Sequence, residues 1–448
     1  MTYQVPRHID NNKIFLVNRS AIDNRIDAQY YNANLDLSGF VKLSSIAIVK
    51  GGKRIPKGYG YSNDPTSYYY LRVADMVTDT DIDINSLMHI SKEVFDILER
   101  YEIKEGELAI SIAGTIGKMC ILKSIPDDKR VILTENCAKI LIKPSIELLP
   151  EYLKICMELP VVKKQLELNY IQTTIPKLGL DKIMEIKIPP IPCVQKQKEI
   201  VSYINNAYTQ RQKKEDESKQ LVDSINIYLL QQLGVRLPDI QIRTLQDRIF
   251  TVSISEVRDG RMDPKSVLYL GEHAKSETFD NVPLKQIARI EKGDSITSAE
   301  VNKEGKYPVV AGGQTSPYNH DKYNYKGDVV TVSASGAYSG YVWYHKDSIF
   351  ASDCSVIYSK NSQFLTQYIF EVLKAQQSQI YLLQQGAGQP HVYPDDLGKL
   401  WIPVVSMEKQ QEIVAHISEM RQQAKAMQEE GKAILERSKR EVGSMIIG

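Results

Sequence analysis

Ile188-Pro189-Pro190-Ile191-Pro192-Cys193-Val194-Gln195-Lys196-Gln197-Lys198-Glu199-Ile200-Val201, with Ile204 one turn on, occurs twice in this chain in recognisable form. Its second copy is Ile402-Pro403-Val404-Val405-Ser406-Met407-Glu408-Lys409-Gln410-Gln411-Glu412-Ile413-Val414, with Ile417 one turn on. Each copy opens extended, because proline fixes φ, lacks an N–H and restricts the residue before it. Each then becomes a proline-free run of Lys, Glu, Gln and Ala, the composition of a strong helix. An internal repeat of this kind governs the reading of everything around it.

Both runs carry a seam. Ile200, Ile204, Ala207, Arg211, Lys214, Ser218, Leu221, Ile225 and Tyr228 follow steps of three and four, as do Ile413, Ile417, Met420, Ala424, Met427, Gly431, Ile434 and Ser438, with Val442 beyond. Such spacing puts one stripe along one side of a helix, and that stripe must be buried. The polar middle of each stripe has two readings: it sets the register of a helix pair, or it faces solvent where the frame slips. Each helix is expected to run about 40 residues, or ~60 Å at 1.5 Å per residue. That length suits a spacer. The packing set is Ile200, Ile204, Leu221, Ile225, Ile413, Ile417, Met420, Met427 and Ile434.

Working outward, further segments recur in the same order. Arg25 and Asp27 align with Arg261 and Asp263, and Val41–Ala47 with Val282–Ala288, each followed by a Lys/Gly turn. Leu108–Thr115, an apolar strand running into a glycine turn, has its twin in Val329–Gly336. Leu133–Ala138 matches Phe350–Ser355, and a short helix with Leu149 and Tyr152 matches one with Leu365 and Tyr368. The fold class is therefore mixed α/β (α+β), with two similar strand-and-helix domains separated by two long antiparallel helices. The expected boundaries are 1–190, 191–236, 237–405 and 406–448, with 234–249 as the joint between the copies.

The 448 residues allow two or three domains, each with its own core. A net charge of +1 gives no overall basic field, so a nucleic-acid partner must be met by local patches. Neither an apolar leader nor an 18-residue apolar stretch is present, which predicts no membrane partner. Cys120, Cys137, Cys156, Cys193 and Cys354 are scattered and without C-x-x-C spacing. They read as buried thiols of a cytoplasmic protein.

The segments that match least between the copies are the candidate binding loops. In the first half Lys50, Lys53, Arg54, Lys57, Tyr59, Tyr61, Tyr68 and Arg72 make a basic, tyrosine-rich stretch. Thr115 in the glycine turn and Gln172, Thr173, Thr174 and Lys177 before the long helix join it. In the second half the set is Gln314, Thr315, Tyr318, Lys322, Tyr323, Asn324, Ser335, Gln385, Gln389 and His391. Lys and Arg neutralise phosphates, whereas Asn, Gln, Arg and Thr hydrogen-bond to base edges. Solvated loops share this composition, so an adaptor that binds proteins through its two globules is the rival reading.

Catalytic and metal motifs are missing. Asn63-Asp64-Pro65-Thr66 lacks the second proline and aromatic ring of an amino-methyltransferase loop, and Gly114-Thr115-Ile116-Gly117-Lys118-Met119 lacks P-loop spacing and its hydroxyl. The seven histidines show no metal-ligand spacing.

Two variable globules alternating with two similar helices, each introduced by I-P-x-x-x and x-K-Q-x-E-I-V, resemble the specificity subunit of type I restriction–modification systems. The resemblance covers essentially the whole chain and is strongest over Ile188–Ile204 and Ile402–Ile417. It implies a non-catalytic subunit whose two target recognition domains each grip half of a bipartite double-stranded DNA site. It further implies that the helix pair docks two methyltransferase subunits, through which restriction/translocase subunits join. The chain would hold no cofactor or metal of its own, with S-adenosylmethionine, ATP and Mg on the partner subunits. Base-contact residues do not transfer across the family, so the loops above rest on their own chemistry.

Overall fold

The computed structural model describes residues 35–76, 82–169, 176–237, 275–302, 304–386 and 388–448, with a few isolated residues outside these spans. Arg25, Asp27, Arg261, Asp263 and most of the expected joint lie outside the described residues. Two compact units emerge, Met1–Lys213 with Glu430–Gly448, and Lys214–Glu429.

In the first unit the strands are β1 (Val41–Lys42), β2 (Ala47–Gly51), β3 (Tyr68–Leu71), β4 (Met88–His89), β5 (Glu102–Ile103), β6 (Leu108–Ser111), β7 (Met119–Ile121), β8 (Arg130–Leu133), β9 (Cys137–Ile142) and β10 (Lys187–Ile188). One sheet runs β2-β9-β6-β7 and a second β4-β3-β8-β5, while β1 pairs with β10. The apolar run 108–112 makes β6 a central strand buried on both faces. Leu108 and Ile110 pack into the core that also holds Tyr152 and Ile200, whereas Ala109 faces Tyr69, Leu71 and Val131 in the layer between the sheets. The outer face of the second sheet is covered by α1 (Lys92–Leu98), through Tyr70, Val94 and Phe95.

The second unit repeats this plan. Its strands are β11 (Asn281–Pro283), β12 (Ala288–Lys292), β13 (Tyr307–Val310), β14 (Asn319–His320), β15 (Val329–Ser333), β16 (Val342–His345), β17 (Phe350–Ala351), β18 (Cys354–Ser359) and β19 (Trp401–Pro403). The sheets run β12-β18-β15-β16 and β14-β13-β17, and β11 pairs with β19. Registers match as well: Ser111 lies opposite Cys137 and Ser333 opposite Cys354. Gly52 and Gly293 occupy equivalent turns where the chain passes over a neighbouring backbone. A Cβ on either would lie 2.1 Å from a carbonyl oxygen, of Thr134 or Ser352, so only glycine fits.

One alignment changes. Lys53 N donates to Leu133 O, and its counterpart Asp294 N to Ala351 O, so Leu133 corresponds to Ala351 rather than to Phe350. The connection Thr134-Glu135-Asn136 is thus one residue longer than Ser352-Asp353, a difference no gap-free alignment can contain.

The long helices run Val194–Leu233 and Met407–Ile447. Each places its first half in one unit and its second half in the other. In the first unit Ile200, Ile204 and Ala207 share a core with Leu435 and Val442, Tyr203 hydrogen-bonds to Glu441, and the Lys439 ammonium lies over the Tyr208 ring. In the second unit Ile225, Leu229 and Leu233 pack with Ile413, Ile417 and Met420. There Ser218 meets Ala424, Tyr228 meets His416 and Gln232 meets Lys409. One residue number falls as the other rises, so both pairings are antiparallel. Leu221, Met427 and Ile434 are half-buried on the same stripe.

The polar middle of the seam is used. Ser218 is fully buried, donates to Ala424 O at 2.9 Å and accepts from Gln428 Nε2 at 3.1 Å, which pins the register. Each helix start is locked by a buried glutamine that the motif repeats. Gln197 Oε1 accepts from Leu149 N at 2.8 Å while its Nε2 donates to Glu147 O and Pro192 O. Gln410 does the same with Leu365 N, Gln363 O and Val405 O. Four cysteines are buried, and burial pushes the thiols of Cys120 and Cys137 up to about 12. Cys193 departs from the expectation: it is exposed, in the extended segment just ahead of the first long helix.

Candidate nucleic-acid interface

A cleft opens in each unit beside the turn after β2 or β12 and the β8–β9 or β17–β18 connection. The first, about 370 Å³, is lined by Arg54, Tyr61, Tyr70, Arg72, Thr134, Glu135 and Asn136. The second, about 400 Å³, is lined by Asp294, Ser295, Ser352, Asp353, His391 and Tyr393, among others. Beyond that shared corner the linings come from different segments, 72–74 after β3 in the first and 391–394 in the second.

In the first cleft Tyr70, deeply buried in β3, donates its hydroxyl to Lys53 O at 2.8 Å, and burial pushes its pKa up to about 12. It stays neutral and holds the loop. Arg54 Nε donates to Glu135 at 2.6 Å, and this bond raises the guanidinium pKa. Burial opposes the ionisation of Glu135, but hydrogen bonds from Arg54 and Thr134 outweigh it and leave its pKa lowered. Arg72 is clasped more tightly: its Nε and one Nη donate to the two oxygens of Asp75 at 2.9 and 2.7 Å. Tyr61 flanks it, with Arg72 Cζ 5.9 Å from the ring centroid.

Lys50, Lys53 and Lys57 are exposed, the placement a phosphate contact requires. Tyr59 is exposed with its hydroxyl given to Glu93, and Tyr61 is exposed. Tyr68 is a correction: its ring packs on Phe95 at 4.8 Å beside α1, because it starts β3 on the side facing that helix. Thr115 and Lys177 are exposed and close together, since Ala113 bridges Lys177 and Gly114 N donates to Pro176 O. Gln172, Thr173 and Thr174 lie outside the described residues.

The same crossing recurs in the second unit, where Ser335 bridges His391 and Gly336 N donates to Pro390 O. Ser335 Oγ hydrogen-bonds to Asp353, and Gln389 Nε2 donates to Ser335 Oγ at 3.4 Å. Gln314, Thr315, Tyr318, Lys322 and Tyr323 are all exposed on the β13–β15 connection. Two residues there prove to be architectural. Asn324 donates to Asp294 and Ala351 O and accepts from Ala351 N, so its amide is spent on a strand end. Gln385 donates to buried Asp396 at 2.9 Å and trades backbone bonds with His391. Their polar side chains are internal pins, which composition alone cannot separate from readers.

Sequence reasoning picked cations and tyrosines and passed over the acidic groups that orient them, Asp75 and Glu135, together with Asp294 and Asp353. The signal was available in part: Glu135 and Asp353 sit in the repeated connection between matched strands.

The chain is thus a duplicated strand-and-helix unit, with each long helix contributing one half to each copy. The family model for the type I restriction modification DNA specificity domain matches residues 36–221 and 276–436. The chain belongs to that family, the specificity subunits of type I restriction–modification systems. A relative is the type I restriction enzyme EcoBI specificity subunit of Escherichia coli, 27% identical over 139 residues. That match spans 31% of this chain and 28% of the relative's length. A structure described as the basis of complex assembly and conformational transition of the type I R-M system is 14% identical and covers 91% of this chain and 96% of its own, at TM-score 0.55. The crystal structure of a type I S subunit from M. genitalium is also 14% identical, covering 91% and 95%, at TM-score 0.45. Among the described residues no helix is long and apolar enough to cross a membrane.

Proposed function

We propose that this chain chooses the DNA site at which a type I restriction–modification complex acts, reading a bipartite, asymmetric duplex with one cleft and its loops per half-site. One observation carries the reading: the two units share strand order, register and turn glycines, yet matched positions around the turns differ, Lys53 against Asp294, Arg54 against Ser295 and Arg72 against Ala311. A protein selected for two copies of one activity would keep the linings alike. A protein that must read two different half-sites keeps the scaffold and changes the lining.

The antiparallel helix pair serves as spacer and as the docking surface for two methyltransferase subunits, whose equivalent contacts a duplicated chain can supply. Restriction/translocase subunits join through them. The chain itself is non-catalytic and cytoplasmic. S-adenosylmethionine, ATP and Mg belong to the partner subunits, and this chain's residues bind, orient and select.

The test is a binding titration of random and host duplex DNA across a salt series. Replacing Lys53, Arg54 and Lys57 together with Ala is expected to weaken binding to all sequences and to flatten the salt dependence, by up to ~0.9 in slope for each phosphate no longer neutralised. Arg54 contributes least, because Glu135 already holds it. Unchanged affinity and slope would overturn the assignment of this loop to DNA.

A further inference from the structure

We infer that Arg72 reads a guanine in the half-site bound by the first unit, a step that rests on the DNA-recognition reading above. Asp75 takes the side edge of the guanidinium, Nε with one Nη, through a bidentate contact at 2.9 and 2.7 Å, and also accepts from Arg72 N at 2.9 Å. The end edge, where one N–H of each Nη lies parallel to the other, is not used by that carboxylate; Tyr61, exposed and hydrogen-bonding to the guanidinium, is the group a base would displace. In the major groove, guanine alone sets two acceptors side by side on one base, O6 and N7. Adenine offers an acceptor beside a donor, thymine one acceptor, cytosine a donor.

Three features favour a base over a phosphate. Arg72 is held still, its side chain 35% exposed against 78% for Arg54, and Asp75 beneath it is nearly buried. Orientation is what base readout needs; a phosphate also accepts the fork, but its attraction comes first from net positive charge. The Arg72–Asp75 pair carries donors but almost no net charge, which makes it a poor phosphate attractor. Tyr61 closes the remaining flank and lines the same cleft, so the group is presented inside a pocket and not on a rim.

The duplicate supplies a control. Leu71 is paired with Leu133 and Val310 with Ala351, so the residue after each strand, Arg72 or Ala311, is equivalent. Ala311 offers no such fork. The guanine contact assigned to Arg72 therefore has no counterpart at the matched position of the second unit.

The experiment maps modified sites in the cell that carries this gene, with the wild-type allele or with Arg72→Lys or Asp75→Asn. Lysine keeps the charge and loses the fork; asparagine leaves the arginine but weakens its clasp. The expected result is a wild-type half-site with a guanine at one position. With Arg72→Lys, preference for it drops roughly tenfold to a hundredfold, the size of a bidentate base contact. The other half-site and the gap stay as they were, and Asp75→Asn moves the same position by less. A wild-type pattern in Arg72→Lys, or an equal fall at every sequence in both variants, overturns the assignment. If the wild-type allele directs no sequence-specific modification at all, the DNA-recognition reading fails first, and that outcome is distinct from the other two.

Discussion

If the long helices set the distance between the two readers, lengthening them widens the gap between half-sites without changing the bases read. The registers dictate how this must be done. Ser218 meets Ala424 and Tyr228 meets His416 in the second unit, while Tyr203 meets Glu441 in the first. Extra residues in one helix alone would slide one of these pairings by the added length and pull the Ser218 hydroxyl off Ala424 O. Four residues inserted into each helix, after Lys213 and after Glu429, leave every pairing inside its own unit intact, because these positions bound the units. The insertion adds ~6 Å at 1.5 Å per residue, equivalent to one or two base pairs at about 3.4 Å each. At 3.6 residues per turn, four residues advance the helix by about 400°, so the stripe returns to within ~40° of its partner. Two residues would turn it by ~200° and bury the polar face, so that variant is expected not to fold. The assay is sequencing of modified DNA from cells carrying the double insertion. Modification at the original spacing by a variant that still folds and methylates would refute the ruler.

The helix starts give a second expectation: Gln197→Leu or Gln410→Leu removes the partner of one backbone N–H and two carbonyls, most of them only partly buried, so the total cost is expected to stay well below the sum of about 1–3 kcal/mol for each. A loss of roughly 2–4 kcal/mol in urea unfolding is expected for either, against less than ~0.5 kcal/mol if the glutamines are incidental. His345 gives a third. Burial against Thr331 lowers its pKa to about 4. The unfolded imidazole binds its proton near pH 6.5 and the folded one only near pH 4, so stability present above pH 6.5 drains away as pH falls between the two. The loss reaches about 3 kcal/mol. His345→Gln is expected to flatten that limb, and an NMR titration of His345 near 6.5 would rule the effect out. A fourth separates reader from pin: Gln314→Ala relaxes base choice in one half-site, whereas Asn324→Ala destabilises the second unit by removing three internal hydrogen bonds. An Asn324→Ala protein of normal stability with altered base choice would reverse that assignment.

The sequence by itself determined what repeats. Duplicated proline-to-helix segments, seams in steps of three and four, and the apolar runs at 108–112 and 329–332 are local patterns, each imposed by φ restriction or by the geometry of one face. From them follow two like units, two long helices and, through the chain path, their antiparallel pairing. Gln197 and Gln410 were visible as repeated letters, but their role was not, since it depends on Leu149 and Leu365 lying some fifty residues away. Only the tertiary structure decided which polar side chains are spent. Asn324 and Gln314 look alike in a list of loop residues, yet one is bound to Ala351 and the other is exposed. Arg72 became distinct from Lys57 only when Asp75 and Tyr61 were found around it. Hydrogen-bond satisfaction belongs to the folded surroundings of a group, not to its residue type. Composition can therefore nominate a binding loop, and packing alone says which of its donors are left for DNA.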